Sequence, residues 1–154
     1  MKLRVKIDAQ TFEVEVGDLN ARPILAVPKT VSSLASALLA YDGSPKAEEA
    51  LYLSAYLARK WHIPLNVLSV FSEAGQAASV QKHAQEVFNE YGVSANFIQR
   101  EGPIATEILI SAEETCSDLI VMGGYGDAPL VNLLLDNILD QVLRNSHTPM
   151  LLCR

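Results

Sequence analysis

The sequence is short of cysteine, of basic charge and of long apolar runs, and each shortage excludes a class of protein. It has two cysteines in 154 residues, which is too few for a disulfide framework. Its formal net charge is −6, whereas nucleic acids and anionic membranes are bound by basic patches. We therefore expect no nucleic-acid partner and no membrane partner.

No apolar run approaches the length of a membrane span, and the N-terminus alternates charged and apolar residues where a secretory signal would be continuously apolar. Cys116 and Cys153 lie in different segments, and we expect both to be small buried residues. These features predict a cytoplasmic protein. What the chain has in quantity is apolar residues, 49% of the total, enough for the core of one compact domain.

The first 32 residues form a segment of their own. Alternation of period two over residues 2–16, on both sides of a polar "DAQ", predicts a β-hairpin. A short apolar run between Pro23 and Pro28 predicts an edge-type strand followed by a linker. We place the boundary near Ser32, so that residues 1–32 precede a domain covering 33–154. One interpretation is an extension that covers a sheet edge or joins a dimer.

From Leu34 onward, short apolar runs alternate with amphipathic segments of helical length. This alternation implies crossover connections, and the fold class is therefore α/β, with a parallel sheet of five strands. The first helix is predicted over about 45–61, with Ser44 as N-cap and Pro45 at its first position. Ligands of such sheets bind beyond the carboxyl ends of the strands, where strand order reverses.

Three residues fall at these strand ends: Asp42, Val70 and Gly123. Gly123 opens the stretch "GGYGDAPLVNLLLDN", in which Gly126 follows three residues later. Glycines between an apolar strand and a helix can form a nest of backbone amides for an anion. Asp42 also has an ordinary interpretation as a turn residue, and the two glycines have one in close packing.

Four segments resemble the universal stress protein family in order and spacing: "LLAYDGSPKAEEAL", "LNVLSVF", "AEETCSDLIVMGGYG" and "DQVLRNSHTPMLLC". The resemblance covers residues 34–154. It implies a doubly wound parallel sheet of five strands with helices on both faces, a Rossmann-like or flavodoxin-like three-layer fold of the adenine nucleotide α-hydrolase type, assembled as a dimer. It also suggests that "ARPILAVP" is the last strand of a preceding unit of the same kind, as an alternative origin for the N-terminal segment.

The resemblance also implies the positions of a nucleotide site. In the nucleotide-binding members of the family, an Asp stands at the end of the first strand, a backbone group at the end of the second strand contacts adenine, and two glycines follow the fourth strand. Asp42, Val70, Gly123 and Gly126 match these positions. Nine residues later the family motif has Gly and then Ser or Thr, and this chain has Asp136 and Asn137. We therefore expect the adenine-nucleotide site to be degenerate.

A carboxylate at this position opposes phosphate binding. At about 4 Å from a phosphate oxygen it would cost on the order of 4 kcal/mol at an effective dielectric of 20, and we expect no nearby Lys or Arg to offset it. Asp136 also suits the N-cap of the last helix, where it would accept from amides that would otherwise meet phosphate. The alternative is a reorganised site that still admits AMP, adenosine or another small ligand. We expect no cofactor apart from weakly bound adenine nucleotide.

No catalytic residue and no metal site are identified. The three histidines, His62, His83 and His147, lie in separate segments, and no nucleophile has an adjacent base. The final segment is apolar and follows a proline, which suits an edge strand. By the resemblance it pairs across a two-fold axis, so we expect a homodimer whose interface includes Met150, Leu151, Leu152 and Cys153.

Three hypotheses about function follow. The first is a non-catalytic stress-response or regulatory module that binds ATP poorly or not at all, and Asp136 and Asn137 favour it. The second is an adenine-nucleotide switch that hydrolyses ATP slowly, which Asp42, Gly123 and Gly126 favour. The third is a subunit that docks an unidentified protein partner through its N-terminal hairpin.

Overall fold

The structure, a computed structural model, describes the backbone of residues 2–7, 10–15, 24–26, 32–71, 74–124 and 138–153. Side chains are described over residues 32–71, 79–124 and 138–153. The strands are β1 (Lys2–Ile7), β2 (Gln10–Glu15), β3 (Ile24–Ala26), β4 (Ala37–Ala40), β5 (Leu65–Val70), β6 (Ala95–Arg100), β7 (Leu119–Gly123) and β8 (Met150–Cys153). The helices are α1 (Pro45–Trp61), α2 (Ala74–Tyr91), α3 (Ile104–Glu114) and α4 (Ile138–Asn145).

The main sheet has the order β3-β8-β7-β4-β5-β6. Strands β4 to β8 are parallel to one another, which confirms the predicted five-stranded parallel sheet. The chain builds outward from β4 through β5 to β6 and then returns to the other side of β4 for β7 and β8. Strand order therefore reverses between β4 and β7, and a crevice is expected at that point.

Alternate residues of the strands enter two separate cores, as expected for strands covered on both faces. Leu39, Val67 and Val121 pack with α1 and α2 on one face. Their neighbours in the same strands, Leu38, Leu68 and Ile120, pack with α3 and α4 on the other. Among the described residues, no helix is long and apolar enough to cross a membrane.

Local sequence determines where α1 begins. The Ser44 side chain accepts a hydrogen bond from the Ala47 amide at 3.3 Å, and Pro45 occupies the first helical position, as predicted. This start lies directly after β4, so the first turn of α1 stands at the carboxyl end of the sheet.

The N-terminal segment contributes to two sheets. β1 and β2 pair in antiparallel register, which confirms the predicted hairpin. β3 pairs in antiparallel register with β8, from Ile24 opposite Leu152 to Ala26 opposite Met150. The outer position of β3 agrees with the interpretation of this segment as a cover for a sheet edge. The expectation that β8 is itself an edge strand is wrong, because β8 has β7 on one side and β3 on the other.

The two cysteines differ in their surroundings. Cys153 is fully buried at the end of β8, as expected. Cys116 is exposed, and the expectation that it would be buried is wrong. The reason is local: Cys116 lies just after α3 with a φ of 49°, in the turn that leads into β7.

Asp118 fixes the entrance to β4. Its Oδ2 accepts from the amide and hydroxyl of Ser33, both at 2.7 Å, and from the Ala35 amide at 3.2 Å. Its Oδ1 accepts from the Ser36 amide at 3.2 Å. Burial alone would raise the pKa of Asp118, but these hydrogen bonds to the charged form outweigh it and lower the pKa below its ordinary value of 3.8.

Replacing Asp118 with Asn is expected to lower the free energy of unfolding by about 2 kcal/mol, because a carboxamide has only one accepting oxygen and its NH2 group must face at least one of these backbone N–H donors. The pKa of the folded state is depressed, so this contribution is present above the ordinary value of 3.8 and is lost as pH falls through the folded pKa. Urea unfolding at pH 7 and at pH 3 measures it. Glu86→Gln, on an exposed side chain of α2, is the matched control. A difference from wild type that does not shrink at pH 3 would contradict this assignment.

Candidate functional site

A cavity of about 210 Å³ lies at the carboxyl ends of β4, β5 and β7, where strand order reverses. Its described lining comes from those three strand ends, from the first turn of α1, and from α3 and α4. Asp42, Val70 and Gly123, three of the predicted site residues, are brought together here. Gly126, Asp136 and Asn137 lie outside the described residues.

Asp42 forms the turn between β4 and α1. Its Oδ1 accepts from the Ser44 amide at 2.9 Å, and the residue is exposed at the mouth of the cavity. The turn interpretation of Asp42 is thus confirmed. It is compatible with ligand binding, because a carboxylate has a second oxygen that can accept from a ligand hydroxyl.

Val70 presents its backbone to the cavity. The Leu68 carbonyl accepts from the Tyr41 amide at 2.8 Å, which shows that Leu68 faces β4. The Phe71 amide donates to the Arg100 carbonyl at 3.1 Å, which shows that Phe71 faces β6. Backbone groups alternate in direction along a strand, so the N–H and C=O of Val70 point to the β4 side. The β4–β5 ladder ends at Ala40 and Leu68, and both groups therefore lie beyond it.

Gly123 allows a strand end and a helix start to touch. A Cβ on this residue would lie 2.8 Å from the carbonyl carbon of Lys46 and 3.0 Å from the Ala47 nitrogen. Both atoms belong to the backbone of α1, so they cannot move aside as a flexible side chain would. The close-packing interpretation of Gly123 is therefore confirmed, and the same contact shapes one wall of the cavity.

Replacing Gly123 with Ala is expected to lower the free energy of unfolding by about 2 kcal/mol, because the added Cβ meets the backbone of α1 and α1 must shift away from β7. Gly92→Ala is the matched control: Gly92 has a φ of 67°, and a Cβ there would meet no atom within 4 Å. That variant measures left-handed strain alone, about 1 kcal/mol. Thermal unfolding of both variants makes the comparison, and a Gly123→Ala variant as stable as the wild type would contradict the packing role.

Lys46 also lines the cavity, and sequence reasoning missed it. The expectation of no nearby Lys or Arg concerns Asp136, which lies outside the described residues, and it stays a prediction; the cavity itself does contain a lysine. Lys46 is the second residue of α1, and the first turn of that helix stands at the switch point. The spacing of four residues from Asp42, together with the N-cap at Ser44, could have placed it here.

The ammonium group of Lys46 is paired with a carboxylate of the same helix. Its Nζ lies 3.0 Å from Oε1 of Glu49, and the two side chains are 28% and 33% exposed. Oε2 of Glu49 is buried and has no hydrogen-bond partner among the described residues. Burial, and next the Glu49 carboxylate, raise the pKa of the nearby Cys153 thiol to about 12, while Lys46 lowers it. Cys153 therefore remains a neutral thiol.

Tyr41 and Glu48 connect this region to α2. The Tyr41 side chain is buried and its hydroxyl donates to Oε1 of Glu48, while Oε2 of Glu48 lies 3.1 Å from Nε2 of His83. Burial, followed by the Glu48 contact, raises the pKa of Tyr41. In the described part of the chain, no group of three or more His, Cys, Asp or Glu side chains is placed to hold a metal ion.

Comparison with known proteins identifies relatives. The sequence model of the universal stress protein family matches residues 72–154. The chain is 27% identical over 135 residues to universal stress protein Slr1230 of Synechocystis, an alignment that covers 86% of this chain and 47% of that protein. It is 34% identical over 88 residues to universal stress protein MJ0531 of Methanocaldococcus jannaschii, covering 57% and 51%. The chain thus spans about half the length of these two relatives.

Solved structures share the fold. A universal stress protein from Archaeoglobus fulgidus superposes with a TM-score of 0.72 at 23% identity, over 86% of this chain and 49% of that one. A universal stress protein in complex with cAMP gives 0.68 at 20% identity, over 76% and 94%. A separate structure of a universal stress protein from Archaeoglobus fulgidus, in complex with dAMP, gives 0.63 at 18% identity, over 77% of this chain and 97% of that one. Since the family match covers more than half of the chain, the chain belongs to the universal stress protein family.

Proposed function

We propose that this member of the universal stress protein family is a non-catalytic regulatory module that binds a small adenine ligand weakly and discriminates against ATP. The observation that carries the proposal is the cavity in which Asp42, Val70 and Gly123 meet. It offers a carboxylate for a hydroxyl, a strand edge for a flat heterocycle and a lysine for an anion. Its volume of about 210 Å³ is below the roughly 300–1,000 Å³ common for drug-sized ligands.

Each polar group of the cavity suits one part of an adenine nucleotide. The N–H and C=O of Val70 form a neighbouring donor and acceptor, which matches the donor and acceptor on one edge of adenine. The second oxygen of Asp42 can accept from a ribose hydroxyl. Two structural neighbours are complexes with cAMP and with dAMP, and each of these ligands has a single phosphate. These neighbours support an adenine nucleoside or its monophosphate as the ligand class.

The departure at Asp136 and Asn137 supports discrimination against ATP. A carboxylate near the outer phosphates repels them, and the repulsion grows with the number of phosphate charges. Adenosine and AMP place less negative charge there than ATP does. We therefore propose that binding of adenosine or AMP signals a change in the concentrations of adenine nucleotides, and that the protein does not hydrolyse its ligand.

Calorimetric titration with adenosine, AMP and ATP tests the proposal. We expect weak binding of adenosine or AMP and at least tenfold weaker binding of ATP, together with no release of phosphate from ATP. Micromolar ATP affinity, or turnover of ATP, would instead support the switch that hydrolyses ATP slowly. Absence of binding by all three compounds would refute an adenine site.

We further propose that the chain works in the cytoplasm as a homodimer with Met150, Leu151, Leu152 and Cys153 at or near its interface. The two free thiols suit a reducing compartment. The β8 backbone is paired within the chain on both sides, so direct pairing of β8 between copies requires β3 to move aside. Sedimentation of the whole chain at increasing concentration tests the assembly, and a monomer at the highest concentration would refute it.

A further inference from the structure

Lys46 is the one basic residue among the described residues that line the cavity, and Asp42 is the one carboxylate. An anionic group entering this cavity is therefore attracted toward one wall. The attraction is increased by the position of Lys46 in the first turn of α1, because the N-terminus of a helix carries partial positive charge. Because Gly123 has no side chain, the first turn of α1 lies in direct contact with the end of β7, and this contact places the backbone of Lys46 at the cavity wall.

The pairing of Lys46 with Glu49 is incomplete. One carboxylate oxygen of Glu49 binds Nζ at 3.0 Å, while the other is buried without a hydrogen-bond partner in the described residues. A buried charged oxygen that lacks a partner weakens the benefit of an ion pair. Lys46 has three ammonium hydrogens, and a phosphate in the cavity can take one of them or replace Glu49 altogether.

We propose that Lys46 contacts the phosphate of the adenine ligand and that Glu49 acts as its internal competitor. This inference rests on the proposed function and adds the residues that decide between charged and neutral ligands. Lys46 makes the site prefer AMP to adenosine. Glu49 keeps that preference small, because phosphate must compete with a carboxylate that is always present.

Lys46→Gln tests the first half by calorimetric titration of the whole chain with AMP and with adenosine. We expect AMP to bind about tenfold more weakly, as for the loss of one charge-assisted hydrogen bond. Adenosine affinity should change less than twofold. Lys82→Gln is the matched control, because it removes the same charge from a side chain on α2 that is 77% exposed and lies outside the cavity lining.

Glu49→Gln tests the second half in the opposite direction. Removal of the competing charge should raise AMP affinity several-fold and leave adenosine affinity unchanged, and the gain should shrink at high salt. A purely structural role for the Lys46–Glu49 pair would not strengthen binding. If both variants leave the ratio of AMP to adenosine affinity unchanged, the inference is wrong while the proposed function stands. If the wild type binds neither compound, the proposed function is wrong.

Discussion

Asp136→Gly combined with Asn137→Ser is expected to give the chain measurable affinity for ATP. The double variant restores the residue types that the family motif has at these positions and removes one carboxylate. At an effective dielectric of 20, a carboxylate about 4 Å from a phosphate oxygen opposes binding by on the order of 4 kcal/mol. Recovery of even half of that free energy corresponds to more than a tenfold gain in affinity.

Thermal unfolding with and without ATP measures this gain. Ligand at about one hundred times its dissociation constant stabilises a folded protein by roughly 2.7 kcal/mol. For a chain of this size, that stabilisation raises Tm by roughly 5–10 °C. The wild type and Glu86→Gln, which also removes one negative charge, should show little shift. A wild type that is stabilised by ATP as strongly as the double variant would exclude repulsion as the reason.

The Asp136 position also bears on helix α4. That helix begins at Ile138, so Asp136 and Asn137 precede it in the sequence by two residues and one. Asp and Asn are both favoured N-cap residues, and Gly and Ser are accepted there as well. The double substitution should therefore retain the helix, and unfolding without ligand should differ from wild type by well under the expected gain with ATP.

Leu152→Lys is expected to lower the free energy of unfolding by on the order of 4 kcal/mol. Leu152 is 6% exposed and packs in the core beneath α3 and α4 with Leu38, Ile120 and Met150. A lysine there would bury an unpaired charge. Leu151, the preceding residue, is only partly buried against the opposite core, so Leu151→Lys can extend its ammonium group to water and should cost about 1–2 kcal/mol.

Urea unfolding of the two variants gives the comparison, with Leu152→Met as a control that preserves volume and polarity. Equal losses for Leu151→Lys and Leu152→Lys would show that the two core faces of β8 are wrongly assigned. The result also limits the use of these variants as probes of assembly. Loss of the dimer in Leu152→Lys would not separate a weaker interface from an unfolded subunit. Leu151→Lys is expected to leave the subunit folded, so sedimentation of that variant tests the interface itself.

Much of the fold was predictable because its signals are local. The cap at Ser44, the proline after it and the alternation of short apolar runs with helical segments gave α1 and the five parallel strands. The pairing of β3 with β8 could not be predicted in the same way, since three residues near the start of the chain pair with three residues near its end. Neither short apolar run contains a signal that identifies the other as its partner. Their pairing depends on the rest of the sheet, which brings β8 to the position beside β3.

Three residues of the candidate cavity could be predicted because their positions follow from the topology of the sheet. Asp42, Val70 and Gly123 lie at strand ends, and the doubly wound topology brings strand ends together at the switch point. Lys46 was not predicted because it lies in the first turn of α1, whereas the topological rule concerns only the ends of the strands. Oε2 of Glu49 is buried and has no hydrogen-bond partner in the described part of the chain, and a sequence pattern does not predict such burial for a charged residue in an amphipathic helix.

The orientation of Val70 bears on how freely this position can vary in evolution. Its side chain packs with the core beneath α3 and α4, while its N–H and C=O face the cavity. Every residue except proline carries the same two backbone groups. Exchange of Val70 for another apolar residue of similar size therefore leaves the hydrogen-bonding face of the cavity intact. Substitution at Val70 is therefore limited by the size and polarity of the side chain, whereas at Gly123 even one added methyl group meets the backbone of α1.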